Sequence, residues 1–277
     1  MRRPSIIALV VLLLTLFTGF RGCENLPIPI AIYLAQHLRS FGELTSDNTI
    51  SVYHISAGKQ GKIFTSSGRV PVDWVQQSSN TTQDLNYVGI LENTDSTISY
   101  IVGNFGTVLR STNKGNSWSN ISVNNNNFVN LYGLDFLMLG PSQYAHIISA
   151  GDSGKIVRSS VSAGNWNWQQ FTVSPVRNLR TIIAVSPIIW VAAGEQGSMY
   201  RTDNSGSTWS PLTTGITNTI NKISKIRYDT YIAVAVGGKI LKSTNYGSSW
   251  SSRSSGTTKN LRDVYFKNTN DGVIVGD

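Results

Sequence analysis

An eight-residue segment occurs three times in this chain and constrains its fold more than any other feature. The copies are Ser111–Trp118, Thr202–Trp209 and Ser243–Trp250. Each has a hydroxyl residue first, asparagine third, glycine fifth and tryptophan eighth: Ser111, Asn113, Gly115 and Trp118; Thr202, Asn204, Gly206 and Trp209; Ser243, Asn245, Gly247 and Trp250. Asparagine accepts hydrogen bonds from nearby backbone N–H groups, and glycine permits a positive φ. The segment therefore predicts a hairpin tip, after which the tryptophan buries its ring against a sheet.

The spacing of these segments predicts a β-propeller. A glycine-bounded apolar run precedes each copy, as in Gly106–Arg110. Two degenerate copies follow Gly61 and Gly154, so that the closing tryptophans are residues 74, 118, 168, 209 and 250, with spacings of 44, 50, 41 and 41 residues. One four-stranded antiparallel propeller blade takes about 40–50 residues. The fold class is therefore all-β, with one four-stranded blade in each repeat.

Leading segments of the Asn-Leu type place the start of each blade. The five blades fall near residues 38–77, 84–122, 130–173, 178–212 and 219–252. A sixth unit begins at Asn260, and the sequence stops at Asp277 before its next glycine-bounded strand. Because a propeller protects its sheet edges by closing its ring, we expect residues 38–277 to be a fragment of a six- or seven-bladed ring. The alternative is that the last strands close against blade one.

The first 22 residues have the pattern of a secretory signal peptide. Arg2 and Arg3 precede an apolar run from Ile6 to Phe17. That run is shorter than the roughly 20 residues that a transmembrane helix needs, so a retained membrane anchor is the lesser alternative. Residues 23–37 are then a linker, and the protein is expected to be exported, either outside the cell or in the cell envelope.

The single cysteine, Cys23, has no partner for an internal disulfide. Its place directly after the apolar run resembles that of the acylated cysteine of bacterial lipoproteins, which makes it a candidate lipid-attachment site. The alternative is an ordinary thiol that is removed with the leader or left unmodified. A tether to a membrane through the N-terminus is therefore one of two expectations.

The charge is positive but dispersed. The formal net charge is +8, and removing residues 1–22 takes away three arginines and no acid, which leaves +5. A moderate positive charge favours acidic partners without requiring them. Because no dense run of lysine and arginine occurs, we do not expect nucleic-acid binding.

The repeated segment resembles the Asp-box, or bacterial neuraminidase repeat. The longer unit, which runs Val-Gly-x-x-Gly-x-Ile and on to the box, resembles the propeller family of the photosystem II assembly and stability factor, most closely over Tyr265–Asp277. That resemblance implies a protein-interaction scaffold or assembly factor. In a photosynthetic source it implies the thylakoid lumen and a nascent membrane-protein subunit as partner. All three boxes depart from the family pattern, since asparagine replaces the aspartate that gives the box its name.

Asp-boxes also occur in sialidases, so a carbohydrate-active propeller, lectin-like or hydrolytic, is the alternative function. Gly68–Pro71 partly matches the motif that carries a sialidase arginine, with Arg69 in that place, and Arg177 and Arg227 are further candidates for an arginine triad. The histidines, His37, His54 and His146, are scattered and have no zinc-ligand spacing. We therefore predict a binding protein without enzymatic activity, metal or cofactor.

One basic position repeats directly before the box. It is occupied by Arg110, Arg158, Arg201 and Lys242, and a second basic position after the leading leucine is occupied by Arg39, Arg180 and Arg262. Equivalent residues of a propeller lie on a circle, so the first set forms an arc. These side chains either stabilise the blades by capping loop carbonyls and pairing between blades, or bind an acidic protein segment or an anionic polymer.

Overall fold

The computed structural model describes residues 43–44, 50–51, 53–67, 73–93, 96–122, 129–137, 146–162 and 165–277. The predictions for the signal peptide, the linker, Cys23, Arg39 and Arg69 lie outside these ranges. Within them, the regular elements are β-strands and short 3₁₀ turns. No helix among the described residues is long and apolar enough to cross a membrane.

The strands form sheets that follow one another along the chain as antiparallel meanders. Two short strands, β1 (Glu43–Leu44) and β2 (Ile50–Ser51), pair first, and β2 ends two residues before blade one. The described part of blade one has three strands: β3 (Tyr53–Ala57), β4 (Ile63–Ser67) and β5 (Val75–Gln77). The first strand predicted for this blade, near residue 38, lies outside the described residues.

Blades two to five each have four strands. Blade two is β6 (Leu85–Asn93), β7 (Ser96–Gly103), β8 (Val108–Ser111) and β9 (Ser119–Asn120); blade three is β10 (Leu131–Leu137), β11 (His146–Gly151), β12 (Lys155–Ser162) and β13 (Asn165–Thr172). Blade four is β14 (Leu179–Ala184), β15 (Trp190–Gly194), β16 (Met199–Thr202) and β17 (Ser210–Pro211); blade five is β18 (Ile220–Arg227), β19 (Thr230–Ala235), β20 (Lys239–Ser243) and β21 (Ser251–Arg253). These bounds confirm the predicted propeller blades to within about two residues.

The sixth unit is a two-stranded sheet of β22 (Leu261–Phe266) and β23 (Gly272–Gly276). Among the described strands, β23 pairs only with β22, and its residues are exposed or half-buried. Blades two to five, three strands of blade one and a partial sixth unit thus occur where the repeat spacing predicts them. The blade count of the intact ring stays a prediction.

The hydrophobic core lies between the blades. Each buried cluster combines residues of two neighbouring blades, as where Ile156 of blade three, Leu179 and Trp190 of blade four pack together. A second cluster joins Val191 of blade four to Tyr231 of blade five. Because each blade buries its faces against its neighbours, the ring rather than the single blade is the stable unit.

The predicted hairpin tips are confirmed at all three boxes. In the second copy the Thr202 hydroxyl accepts a hydrogen bond from the Gly206 N–H at 3.0 Å, and Asn204 Oδ1 accepts one from the Thr208 N–H at 2.8 Å. Asn204 Nδ2 in turn donates to the Thr208 hydroxyl at 2.8 Å. Asparagine therefore serves as acceptor and donor at once, which explains why the loop forms without the aspartate of the family pattern.

Each box also packs against the preceding blade. A Cβ atom on Gly115 would lie 2.9 Å from the Thr65 side chain and 3.0 Å from Ile55, both in blade one. Trp118 is buried in the cluster that includes Ile55 and Ile63 of that blade. The box is therefore a packing element between blades, and its glycine is required by space as well as by its positive φ.

Blade three corrects one expectation. Trp168 was expected to close a degenerate box, but it lies within β13 and pairs with Ser159 of β12 in a long regular hairpin. Its indole N–H donates to the Ile121 carbonyl of blade two at 3.0 Å. Trp166 stacks edge-on against Tyr100 of blade two, with the ring centroids 6.1 Å apart. Two strand tryptophans thus replace the box in holding blade three to blade two.

Candidate docking face around the central passage

The two ends of the propeller carry different elements. At one end, called here the turn face, each first strand begins and a 3₁₀ turn joins the second strand to the third. These turns are Lys59–Gly61, Asn104–Gly106, Asp152–Gly154, Glu195–Gly197 and Val236–Gly238. The boxes lie at the opposite end, called the box face. The turn face thus gathers equivalent loops of five blades around the axis of the propeller. The space between the first strands of the blades, β6, β10, β14, β18 and β22, is called here the central passage.

A hydrogen-bonded asparagine joins successive blades on the turn face. Its side-chain oxygen accepts from the backbone N–H at the centre of the preceding blade's turn, and its amide donates to a carboxylate near its own blade's second strand. Asn130 accepts from the Phe105 N–H at 3.2 Å and donates to Asp152 at 2.9 Å. Asn178 accepts from the Ser153 N–H at 2.8 Å and donates to Glu195 at 3.1 Å. Asn260 accepts from the Gly237 N–H at 3.1 Å and donates to Asp277 at 2.7 Å. The leading asparagines therefore stabilise the fold, and the carboxylates that they bind already have hydrogen-bond partners within the protein.

A bulge places one residue of each first strand at the mouth of the passage. Register shifts follow the first residue of β6, β10, β14, β18 and β22. The bulge residues are Asn86, Tyr132, Arg180, Asn221 and Arg262. The amides of Asn86 and Asn221 donate to the Leu131 and Leu261 carbonyls of the next blade at 2.9 and 2.6 Å. The other three positions present an aromatic ring and two guanidinium groups.

Arg180 and Tyr132 form a stacked pair at this mouth. The guanidinium carbon lies 4.6 Å from the ring centroid, and the same group pairs with Glu195 at 2.5 Å. The Tyr132 hydroxyl donates to Asp152 at 3.2 Å, and partial burial, followed by the nearby negative charge of Asp152, raises the tyrosine's pKa. About a third of each partner's side chain in the Arg180–Glu195 pair stays exposed. The pair is thus held in place yet accessible to a ligand.

Below this mouth, Lys222 and Tyr87 meet across the passage. Lys222 Nζ lies 2.5 Å from the Tyr87 hydroxyl and 3.9 Å from the ring centroid. The two residues belong to the first strands of blades five and two, three positions apart in the ring. Sequence reasoning missed this contact. The signal was their shared register, since each is the third residue of its first strand.

Phe105 is an exposed aromatic residue on the same face. It lies at the centre of the blade-two turn, has φ +53°, and is 58% exposed. Gln60, Ser153 and Gln196 occupy the equivalent positions at similar positive φ. Because polar residues form the same turn in other blades and the Phe105 ring is exposed, packing within the protein does not explain a phenylalanine at this position.

Basic residues outnumber acidic ones in the segments that build the turn face, meaning the 3₁₀ turns, the residues that follow them and the starts of the first strands. The basic residues are Lys59, Lys62, Lys155, Arg177, Arg180, Lys222, Lys239, Lys259 and Arg262. The acidic ones are Asp84, Asp152, Glu195, Asp263 and Asp277, and each of these accepts a hydrogen bond or an ion pair within the protein. The face therefore attracts negative charge.

The predicted basic arc lies in the crevices between blades. Arg110 donates to the Tyr100 hydroxyl at 3.3 Å and its guanidinium carbon lies 5.7 Å from the Trp166 ring of the next blade. Arg158 donates to Gln169 at 2.6 Å. Its guanidinium also lies 5.9 Å from the rings of Phe171 in its own blade and Trp190 in the next. Both arginines thus have the stabilising contacts of the first interpretation.

Arg201 of the arc pairs with Asp203 at 2.6 Å and donates to the Tyr246 carbonyl of blade five. Lys242 is half-buried, and no ion pair or ring contact of its ammonium group is found among the described residues. Whether the four residues also bind a partner stays a prediction.

Two shallow clefts lie at equivalent places in blades one and five. Their volumes are about 630 and 850 Å³, and each is bounded by a 3₁₀ turn, the last strand and the linker that follows it. In each, a serine hydroxyl donates to a threonine carbonyl two residues on, at 3.1 Å for Ser79 and 3.0 Å for Ser255. Because the same geometry recurs with the repeat, these clefts are features of the fold.

In the described part of the chain, the residues considered for a metal site or a sialidase arginine triad do not come together in one place. Among the residues described, no three histidine, cysteine, aspartate or glutamate side chains lie close enough to hold a metal ion. Arg177 lies on the turn face, whereas Arg227 ends β18 toward the box face and pairs with Asp229 at 2.8 Å. These two arginines therefore do not meet in one site. His146 has a pKa lowered by burial and by the charge of Arg158.

Comparison with known proteins supports the fold. No family model matches this chain, and no curated protein matches it. The solved structure of YCF48 from Cyanidioschyzon merolae is similar with a TM-score of 0.61 and 14% identity, covering 81% of this chain and 74% of that one. The structure of YCF48 bound to D1 peptide has a TM-score of 0.55 and 15% identity, covering 84% of this chain and 77% of that one. The structure of U3-55K has a TM-score of 0.58 and 11% identity, covering 76% of this chain and 67% of that one. This chain is an all-β propeller, similar in fold to these proteins.

Proposed function

We propose that this propeller binds an acidic segment of another protein on its turn face and is not an enzyme. The observation that carries the proposal is the mouth of the central passage, where the half-buried Arg180–Tyr132 stack is accompanied by Lys222 and by an excess of basic residues. Rigid aromatic and arginine side chains are the groups that dominate protein interfaces. The rigid blades below hold them in place without ligand.

Two further findings support this proposal. One of the similar structures carries a bound D1 peptide, so a propeller of related shape binds a peptide. Arg177 and Arg227, which the sequence offers for a sialidase arginine triad, also lie at opposite ends of the propeller. If the source organism is photosynthetic, we propose an assembly role for a membrane-protein subunit, with that subunit's acidic segments as the first candidates.

The N-terminal pattern extends the proposal to location. We propose that the protein is exported and that Cys23 ties it to a membrane. The mass of the native N-terminus from a membrane fraction tests this, because a diacylglyceryl group on Cys23 adds a defined mass, whereas an unmodified mature N-terminus contradicts the tether.

The docking proposal is tested with charge reversal on the turn face. Lys62, Lys155 and Lys239 occupy the same position, directly after the turn, in blades one, three and five. We expect a labelled glutamate-rich peptide to bind the wild type in fluorescence anisotropy and to bind the triple glutamate variant at least about tenfold more weakly. A lysine-rich peptide of the same length should not bind.

The matched control carries two reversals toward the other face. Lys114 lies in a box and Lys225 lies near the end of β18, and both are exposed. Lys114→Glu with Lys225→Glu changes the net charge in the same direction and should leave the affinity nearly unchanged. Failure of the wild type to bind the acidic peptide, or an equal loss in this control, contradicts docking on the turn face.

A further inference from the structure

Two exposed tyrosines form a platform on the box face of blade five. Tyr228 lies in the turn between β18 and β19 and is 64% exposed, and Tyr246 lies in the box and is 46% exposed. Their ring centroids are 5.9 Å apart, with the ring planes inclined at 55°. The backbone N–H of Tyr246 donates to the Asp229 carbonyl at 3.0 Å, which fixes the two loops relative to each other.

Folding does not explain these rings. Tyr246 has φ +59°, and the equivalent box positions hold Lys114 at +60° and Ser205 at +57°. A left-handed conformation costs residues such as serine, lysine and tyrosine about 1–2 kcal/mol each. The turn therefore accepts serine or lysine equally well, and an exposed tyrosine there adds contact area rather than stability of the loop. The same holds for Tyr228 at an exposed turn.

The border of the platform is polar and electrically balanced. Arg227 pairs with Asp229 at 2.8 Å and also donates to the Thr230 hydroxyl at 3.0 Å. Arg201, which donates to the Tyr246 carbonyl, pairs with Asp203 at 2.6 Å. Since a carboxylate neutralises each of these two guanidinium groups, they offer hydrogen-bonding groups beside the flat apolar rings without adding net positive charge.

We propose that Tyr228 and Tyr246 bind a neutral polysaccharide chain. A pyranose ring has an apolar C–H face that packs on an aromatic ring and a rim of hydroxyl groups that bonds to planar polar side chains such as those of Arg227 and Asp229. An anionic ligand is disfavoured by the balanced charge, and a polyproline peptide needs a groove with aromatic walls rather than two rings at loop tips.

The inclination of the rings narrows the class of sugar. Two successive sugar residues lie on both tyrosines only if their mean planes are inclined to each other as the rings are. A curved α-linked glucan has that inclination, whereas a flat, extended β-linked chain such as cellulose does not. The proposed ligand is thus a curved neutral glucan, and this site is separate from the docking of protein on the opposite face.

The test uses isothermal titration calorimetry with maltoheptaose, cellopentaose and a proline-rich peptide. We expect the wild type to bind maltoheptaose, with an affinity independent of salt, and to bind the other two at least about tenfold more weakly. Tyr246→Ser, which installs the residue of the equivalent blade-four turn, and Tyr228→Ser should each weaken maltoheptaose binding at least about tenfold at unchanged melting temperature.

The matched control is Phe105→Ser, which removes an exposed aromatic residue at a similar φ on the turn face. It should leave the affinity for maltoheptaose unchanged. No binding of maltoheptaose, binding that Tyr246→Ser does not weaken, or a preference for the proline-rich peptide would overturn the proposal. Because the acidic peptide reports on the turn face, either site can fail without affecting the result for the other.

Discussion

Lys222 and Tyr87 touch across the central passage although 135 residues separate them in the chain. The ammonium group both donates to the phenol at 2.5 Å and lies over its ring, with Nζ 3.9 Å from the centroid. The buried clusters of blades two and five are shared with neighbouring blades, so this contact links parts of the ring that no sheet joins. The contact therefore stabilises the ring by connecting two blades that are not neighbours, and its side chains occupy part of the central passage.

We therefore expect Lys222 and Tyr87 to be energetically coupled. A double-mutant cycle with Lys222→Met and Tyr87→Phe, followed by urea denaturation, should give a coupling free energy of about 1 kcal/mol, the size of one hydrogen bond, because phenylalanine keeps the ring and loses only the hydroxyl. Pairing Tyr87→Phe with Lys225→Met, at the exposed end of the same strand, is the control and should be additive. Additivity in both cycles would show that the contact is not formed in solution.

Asn204 is expected to stabilise its box through its side-chain amide. Asn204→Ala leaves the Thr208 N–H without its acceptor and should lower the free energy of unfolding by about 1–2 kcal/mol. Asn204→Asp keeps the acceptor, and the Thr208 hydroxyl then donates to the carboxylate, so its stability should stay near that of the wild type. Asn270→Ala, at an exposed loop residue, is the control. A stable Asn204→Ala variant would contradict this role.

Substitutions at Gly238 and Gly256 distinguish the cost of a steric clash from the cost of a positive φ. Both have positive φ, at +71° and +73°, but a Cβ atom on Gly238 would lie 1.9 Å from the Thr257 carbonyl oxygen, whereas nothing lies within 4 Å of one on Gly256. Gly256→Ala should lower stability by about 1 kcal/mol. Gly238→Ala should cost about 3 kcal/mol or more, or prevent folding. Thermal melts and soluble yield measure both, and equal losses would show that φ alone matters.

The fold could be predicted from the sequence because its repeated turns depend on residues that are close together in the chain. The candidate site could not be predicted, because it depends on contacts between side chains of different blades. The serine or threonine, the asparagine, the glycine and the tryptophan of each box fix a hairpin through contacts within eight residues, so the sequence predicts it directly. The stacking of Arg180 on Tyr132 and the contact of Lys222 with Tyr87 depend on how blades are placed around the axis. The blade-three hairpin was missed because Trp166 and Trp168 replace the box with strand contacts.

Arg158 and Lys242 distinguish the two roles predicted for the basic arc. Arg158 lies over the rings of Phe171 and Trp190, so Arg158→Glu should lower the free energy of unfolding by about 1–2 kcal/mol. Lys242→Glu should leave the melting temperature within about a degree of the wild type, since no ion pair or ring contact of its ammonium group is found among the described residues and a substitution away from such contacts changes stability little. If the arc rather than the turn face binds the acidic partner, Lys242→Glu also weakens capture of the glutamate-rich peptide, whereas docking on the turn face leaves that capture unchanged. Unchanged capture would leave the arc with its stabilising role alone.

Tyr231 makes stability fall at alkaline pH. Its ring is fully buried and its hydroxyl donates to the Tyr228 carbonyl at 3.0 Å. Burial first, and then the negative charges of Asp135 and Asp229, raise the pKa of Tyr231 from 10.0 to about 12. Because the folded pKa lies above the unfolded one, the folded state keeps the proton that the unfolded state loses. The stabilisation is therefore complete below pH 10 and is lost as the pH rises through 12.

Urea denaturation at a series of alkaline pH values measures this loss. In the wild type the free energy of unfolding should fall above pH 10 by up to about 1.4 kcal/mol per pH unit for each tyrosine whose pKa is raised. Burial raises the pKa of Tyr100 and Tyr200 as well, so Tyr231→Phe should reduce the slope without abolishing it. The variant is also expected to be about 1 kcal/mol less stable at neutral pH, because the Tyr228 carbonyl loses its donor. An unchanged slope in Tyr231→Phe would show that this phenol does not keep its proton in the folded state above pH 10.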